Sequence, residues 1–344
     1  GRNGAISPGG GCHLLQTADG RIAVNLVRDD DWALLPAWLE QETCTAGDWE
    51  GFAQQLRTRT MHDLVERGRL LGLAIAPSVP MPTRPVPWFT CVEPAYRAQG
   101  ALLQNGAVVG AGLARDKPRV LDLSSLWAGP LCSHLLQRLG TDVVKVESPQ
   151  RPDGARRGPS AFFDLLHAGK RCVALDPTTA QGREQLRALI ASADIVIEGS
   201  RPRALRQLGL APEQLVAEFP QLTWISLTGY GRGEPQEQWA AFGDDAAVNA
   251  GLSYLLRQAT GLDIFGGDAI ADPLTGLHAA LAAWAGFQRG GAGLVSIALC
   301  DVVRHCLQFE RPASAEAACE RNRDWTAHAD HMGAQAAMPS PRRP

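Results

Sequence analysis

At 344 residues with 45% hydrophobic side chains, the chain is long enough for two domains and has ample apolar material for a core. Its formal net charge of −3 supplies no global basic field, which excludes partners held by charge alone, nucleic acid and anionic membrane surfaces among them. No run approaches the ~18 apolar residues of a membrane span. The start, Gly1-Arg2-Asn3-Gly4, has neither a Met nor a leader pattern, and the eight cysteines form no C-x-x-C pair. The expectation is a cytoplasmic protein with reduced, mostly buried thiols, no metal site and no disulfide framework.

Residues 1–85 read as a small α+β domain. Pro8-Gly9-Gly10-Gly11 is a loop whose glycines permit backbone angles and close approaches that side chains forbid. The run 21–27 is a strand entered by the Asp19-Gly20 turn. Trp32, Leu35, Trp38 and Leu39 have helical spacing, and a further helix is predicted from Trp49 to Gly68. Residues 86–117 are a linker, within a stretch where 76–97 alone holds six prolines.

From 118 to 310 the pattern is that of an α/β, Rossmann-like domain. Apolar runs at 119–123, 142–146, 172–175, 195–197 and 224–227 alternate with helical segments such as 181–191, which predicts βαβ units and a doubly wound parallel sheet. Such strands, buried on both faces, should be continuously apolar. Residues 311–344 are Ala-rich and polar, without periodicity, and read as a disordered tail.

Ligands of open parallel sheets bind beyond the carboxyl ends of the strands. The first such loop, Ser124-Ser-Leu-Trp-Ala-Gly-Pro130, is not a dinucleotide fingerprint. Past the second strand, Lys145, Arg156, Arg157, Lys170 and Arg171 form either a solvated surface or a phosphate site. Asp272 precedes Pro273 at the head of an Ala/Leu-rich helix running to about Phe287, the pattern of an N-cap. Two roles fit that residue: a helix cap, or a carboxylate nucleophile held rigidly at a helix N-terminus.

Taken together, these segments resemble the family III CoA-transferases, whose relatives include α-methylacyl-CoA racemase. The resemblance is carried in order by Val120-Leu-Asp-Leu-Ser124, Ala128-Gly-Pro130, Leu139-Gly-Thr-Asp-Val-Val-Lys-Val-Glu147 and Lys170-Arg-Cys-Val-Ala-Leu-Asp176. Ala193-Asp-Ile-Val-Ile-Glu198, Leu208-Gly-Leu210, Ser226-Leu-Thr-Gly-Tyr-Gly231 and Asp272 with Gly276 complete it. His13 to Val24, then Trp32, resembles the family's C-terminal small domain. The domain order is thus reversed, which implies a permuted chain or part of a tandem fusion.

The resemblance implies coenzyme A or acyl-CoA as substrate, with no permanently bound cofactor and a carboxylic acid as acceptor. Asp272 is the implied nucleophile, and Gly9, Gly10 and Gly11 the implied oxyanion loop. Ser125, Leu126, Ala128, Lys145, Arg156, Arg157, Lys170, Arg171 and Gly199 are the implied CoA contacts. An interlocked homodimer, or a pseudo-dimer in a fusion, is also implied. Departures exist. Trp127 stands where some transferases carry glutamine, which puts oxalate-type chemistry in doubt. Gly199 replaces the usual Asn, and the segment Phe242-Gly-Asp-Asp-Ala246 lacks the racemase histidine. Racemisation, or a non-catalytic CoA-binding half of a fusion, are the alternatives.

Overall fold

A computed structural model describes residues 4–28, 30–41, 45–92 and 117–309, with scattered positions between 314 and 327. Residues 93–116 of the expected linker and most of the expected tail fall outside these. The chain divides into two compact units, Gly1–His305 and Cys306–Pro344, and the site lies in the first.

The first unit opens with β1 (Cys12–Gln16) and β2 (Arg21–Asn25), an antiparallel hairpin in which Cys12 faces Asn25. A 3-10 turn leads into α1 (Leu35–Leu39). The single helix predicted for 49–68 is two, α2 (Trp49–Leu56) and α3 (Met61–Leu70). The break has a local cause: the Thr60 hydroxyl accepts the Asp63 N–H at 3.2 Å, starting a new helix where the polar 57–60 segment offers no apolar face. β3 (Ala74–Pro77), not anticipated, completes a three-stranded sheet beside β2. Its core packs Ile22, Val24, Trp38, Phe52, Leu64 and Ile75.

β4 (Thr90–Val92) leaves this sheet and joins a larger one of seven strands. That sheet is built from β5 (Arg119–Asp122), α4 (Ala128–Arg138), β6 (Asp142–Glu147), α5 (Ser160–His167), β7 (Arg171–Ala174), α6 (Ala180–Ser192) and β8 (Ile195–Glu198). It continues through α7 (Pro202–Gln207), α8 (Pro212–Glu218), β9 (Thr223–Thr228), α9 (Gly243–Asn249), α10 (Leu252–Thr260), α11 (Ala271–Gln288), β10 (Gly293–Ala298) and α12 (Leu299–Phe309). The strand order is β4-β10-β9-β8-β5-β6-β7, parallel except for β4.

The α/β Rossmann-like architecture is therefore present. The chain winds outward from β5 to β7, then returns to β5's other side as β8, so the strand order reverses between β5 and β8. Loops after those two strands frame the crevice in which such sheets hold ligands. β5 and β8 are nearly wholly buried, whereas edge strand β7 is exposed at Arg171, Cys172 and Ala174, an exception to the expected burial. The thiols are also mixed: Cys12, Cys132 and Cys300 are buried, Cys91 and Cys172 exposed. Among the described residues no helix is long and apolar enough to cross a membrane.

Candidate active site

The loop from β5 to α4 is held from beneath by a buried polar network. Asp122 accepts the Ser124 N–H at 3.0 Å and bonds the Ser124 and Ser133 hydroxyls. Lys170 reaches Asp122 at 3.3 Å, Ser133 at 2.7 Å and the Pro130 carbonyl at 3.0 Å. Lys145 donates to the Ser124 carbonyl at 2.8 Å and pairs with Asp153 at 2.9 Å, both side chains fully buried. Asp153 in turn accepts the Leu126 and Ala155 N–H groups. Most polar groups taken out of water here have a hydrogen-bond partner, as the interior requires, although the His167 Nε2 beside Lys170 is buried without one.

This placement revises the expected phosphate site. Lys145 and Lys170 are interior ties, not cations facing a ligand. Burial lowers the Lys170 pKa and Asp122 opposes that effect. Arg171 is exposed and forked onto Asp142. Arg156 is exposed, forked onto Glu147 at 2.6 and 2.9 Å and stacked 4.3 Å over Phe163, which holds the Glu147 carboxyl down at about 2. Arg157 is exposed on the same turn. Of the five, Arg156 and Arg157 stand beside the crevice loop, since Asp153 caps their turn while holding Leu126.

The network leaves the crest of the loop outward. Ser125 and Leu126 are exposed, and Leu126 has φ +70, a strained angle for a bulky residue and a frequent mark of functional loops. Gly199, at the end of β8, lies across the crevice, where an added Cβ would stand 3.6 Å from the Ser124 Cβ.

Asp272 is not the cap of its own helix. α11 begins at Ala271 with Ile270 at the cap position, and Asp272 sits in the first turn. Its half-buried carboxylate instead accepts the N–H of Ala128, the first residue of α4, at 3.3 Å. It also accepts the N–H of Gly243, the first residue of α9. Gly243 must be glycine, because a Cβ there would run into the Asp272 carboxylate and the Ala269 carbonyl. Donors from two helix starts thus converge on one carboxylate, a geometry that favours negative charge.

Two further carboxylates, which sequence reasoning passed over, crowd this point. Asp244 accepts the Ala269 N–H at 2.9 Å, pinning Ala269 at a strained φ of +41, and bonds the Ser7 side chain. Asp245 is fully buried. Burial, with mutual repulsion behind it, pushes Asp244 up to about 6 and Asp245 and Asp272 to about 7. The spacing Phe242 to Asp245 was the legible signal, a helix start with an acceptor at its third residue.

The glycine loop stands beside Asp244 through Ser7. Gly9 and Gly10 face open space, while a Cβ on Gly11 would collide with Val27. His13, stacked on Trp49 at 3.6 Å, bonds the Gly10 carbonyl at 3.2 Å and fixes the turn. His278, six residues after Asp272, stands apart with Trp88 and His305. Among the described residues no group of three or more His, Cys, Asp or Glu is placed to hold a metal ion.

The sequence model of CoA-transferase family III matches residues 116–335. The chain belongs to that family. Its relatives include the formyl-CoA:oxalate CoA-transferase of Rhodopseudomonas palustris strain TIE-1, 34% identical over 49% of this chain and 41% of that protein. The succinyl-CoA–D-citramalate CoA-transferase of Chloroflexus aurantiacus is 32% identical over 52% and 47%. A crystal structure of a hypothetical protein from Mycobacterium tuberculosis matches with 31% identity and a TM-score of 0.51, covering 56% of this chain and 57% of that one. The chain thus spans less than half the length of these two curated relatives.

Proposed function

We propose that this chain moves coenzyme A between an acyl-CoA thioester and a carboxylic acid, with Asp272 as the carboxylate that becomes acylated. The observation carrying this reading is the Asp272 carboxylate, fixed between the Ala128 and Gly243 N–H groups at the mouth of the β5/β8 crevice in a chain of this family.

An Asp272 oxygen attacks the thioester carbonyl, the C–S bond breaks, and a mixed anhydride and CoA thiolate result. The thiolate then attacks the aspartyl carbonyl, expelling the donor acid as carboxylate and leaving an aspartyl-CoA thioester. The acceptor carboxylate attacks that thioester, freeing thiolate and forming a second anhydride. Attack by the thiolate on the acceptor's acyl carbon yields the new acyl-CoA and restores Asp272. Covalent catalysis divides one difficult exchange into easier steps. N–H groups of Gly9 to Gly11, with open space before Gly9 and Gly10, suit the developing oxyanions. The exposed crest Ser125–Leu126, with Ala128, Gly199, Arg156 and Arg157, is the proposed CoA contact surface.

The three-stranded sheet preceding the larger one supports the reading of a permuted or tandem-fused chain, with a homodimer or pseudo-dimer as the assembly. One observation favours a second reading, proton exchange at the α-carbon of an acyl-CoA. Asp244 supplies a second carboxyl of raised pKa beside Asp272, where a histidine was sought.

The test is mass spectrometry of the protein incubated with a panel of acyl-CoAs. A hydroxylamine-sensitive CoA adduct on Asp272 supports transfer. Its absence with every donor, in folded protein that binds CoA, overturns it. Deuterium uptake at the α-carbon without an adduct selects the second reading.

A further inference from the structure

Asp245 is a costly residue to bury. Its carboxylate has no solvent exposure and stands among Asp244, Asp272 and the buried Cys12 thiol, whose pKa it helps raise. It is held by three donors: the Phe242 N–H at 2.9 Å, the Asn25 amide at 3.1 Å and the Tyr230 hydroxyl at 3.1 Å. Asn25 comes from β2, 220 residues away, and its amide oxygen is buried without a partner, so donation to Asp245 is the polar contact that orients it. Tyr230 is held in turn by the Arg69 guanidinium, 5.2 Å from its ring centre, which also lies over Trp239. A well-packed apolar group is often at least as stable as such a buried charge, so stability alone does not account for it.

The bonds made by neighbouring amides supply a reason. Phe242 and Gly243 open α9, and their N–H groups diverge, the first to Asp245 and the second to Asp272. The Phe242 carbonyl, in the same peptide plane as the Gly243 N–H, accepts the Ala246 N–H at 3.1 Å. This bond and the Phe242 N–H bond to Asp245 together hold the Phe242 dihedrals that set the direction of the next amide. We propose that Asp245, anchored by Asn25 and Tyr230, is a positioning residue that aims the Gly243 N–H at the Asp272 carboxylate. The small sheet thereby takes part in shaping the site through Asn25, besides carrying the glycine loop.

The activity arm of the test rests on the reading of Asp272 as nucleophile, and the amide arm does not. Asp245→Ala, Asp245→Asn and Asn25→Ala are compared with wild type. Amide hydrogen exchange of Gly243 is measured against core amides of β9, alongside calorimetric CoA binding and the rate of CoA-adduct formation. The Ala variants should lose at least tenfold of the Gly243 protection beyond any loss in β9. Adduct formation should slow at least tenfold while CoA affinity stays within threefold. Asp245→Asn, which keeps an oxygen for the Phe242 N–H, should recover most of both. If Asp245→Ala does not fold, Asn25→Ala carries the test, since it leaves α9 unaltered. Unchanged Gly243 protection in Asn25→Ala and in whichever Asp245 variants fold overturns the proposal. So does a loss of all readouts in step with the folded fraction. A wild type that forms no adduct ends the transfer reading and leaves the amide result to decide this one.

Discussion

Asp272 accepts a hydrogen bond from the backbone of Ala128, a residue 144 positions earlier in the chain. The loop that faces the crevice and the carboxylate proposed to react are therefore one rigid piece, because Ala128 ends the loop and starts α4. Four consequences are open to measurement.

Replacing Asp272 by Asn tests the nucleophile. Asparagine offers one acceptor oxygen where the carboxylate offers two, so one of the Ala128 and Gly243 N–H groups loses its partner, while repulsion from Asp244 and Asp245 is relieved. The two changes oppose each other, and thermal unfolding should show a Tm within about 4 °C of wild type. Adduct formation should fall by several orders of magnitude, because a neutral amide is a poor nucleophile. Near-normal turnover, with deamidation excluded by mass spectrometry, would remove Asp272 from the mechanism.

Acidity should act on rate and stability in opposite senses. The reactive form of Asp272 is ionised, so adduct formation should rise with pH through about 7 and fall about tenfold per unit below it. Stability runs the other way. Asp244, Asp245 and Asp272 have folded pKa values raised above the unfolded ones, so the native state binds more protons between about pH 4 and 7. Their contribution is present below that window and is lost as pH rises through it. Denaturant titrations at pH 5 and pH 7.5 should show Asp272→Asn and Asp245→Asn losing less stability across this interval than wild type.

Asp153→Ala should loosen the crevice loop from below. It strands the buried Lys145 ammonium and frees the Leu126 and Ala155 N–H groups, and breaking one side of a fully buried pair costs about 3–5 kcal/mol. Urea unfolding measures the loss. Calorimetry with CoA should show weaker binding in the folded fraction, since Leu126 no longer has a fixed backbone. Unchanged affinity would detach this loop from the CoA surface.

The glycine loop separates into structural and ligand-facing positions. Gly11→Ala forces a methyl group into Val27 and should cost about 1–3 kcal/mol by thermal unfolding. Gly9→Ala meets nothing within 4 Å at an ordinary backbone angle, so its stability should match wild type. A fall in adduct rate for Gly9→Ala then reports a ligand in that space, and an unchanged rate would place the reacting groups elsewhere.

The central strands were legible because the apolar runs 119–123, 142–146, 195–197 and 224–227 have no other stable destination than a sheet covered on both faces. β10 carries the same signal in Gly293–Ala298, behind a Gly-Gly turn, and was overlooked. β4 carries almost none, since three residues paired antiparallel to a strand two hundred positions later have no local pattern. The basic cluster misled because sequence shows charge without direction. Lys145 lies on a strand whose neighbours point both ways, and the inward turn of its ammonium is decided by Asp153 in a loop. Asp272 stood out in the sequence, but its partners did not. A carboxylate beside proline suggests a cap for its own helix, and only the fold reveals that it receives the starts of two others.

β4 has one more implication. Because Thr90, Cys91 and Val92 pair with Ser296, Val295 and Leu294, the segment before residue 93 is stitched into the sheet that begins after residue 117. The covalent link between them is not the only tie. Arg21 with Asp263, Asn25 with Asp245 and Arg69 with Asn249 add further seams. Two separate polypeptides, 1–92 and 117–344, therefore carry complementary halves of a zipper. Co-expressed, they have the contacts to reassemble without a peptide bond, the property on which split-protein reporters depend.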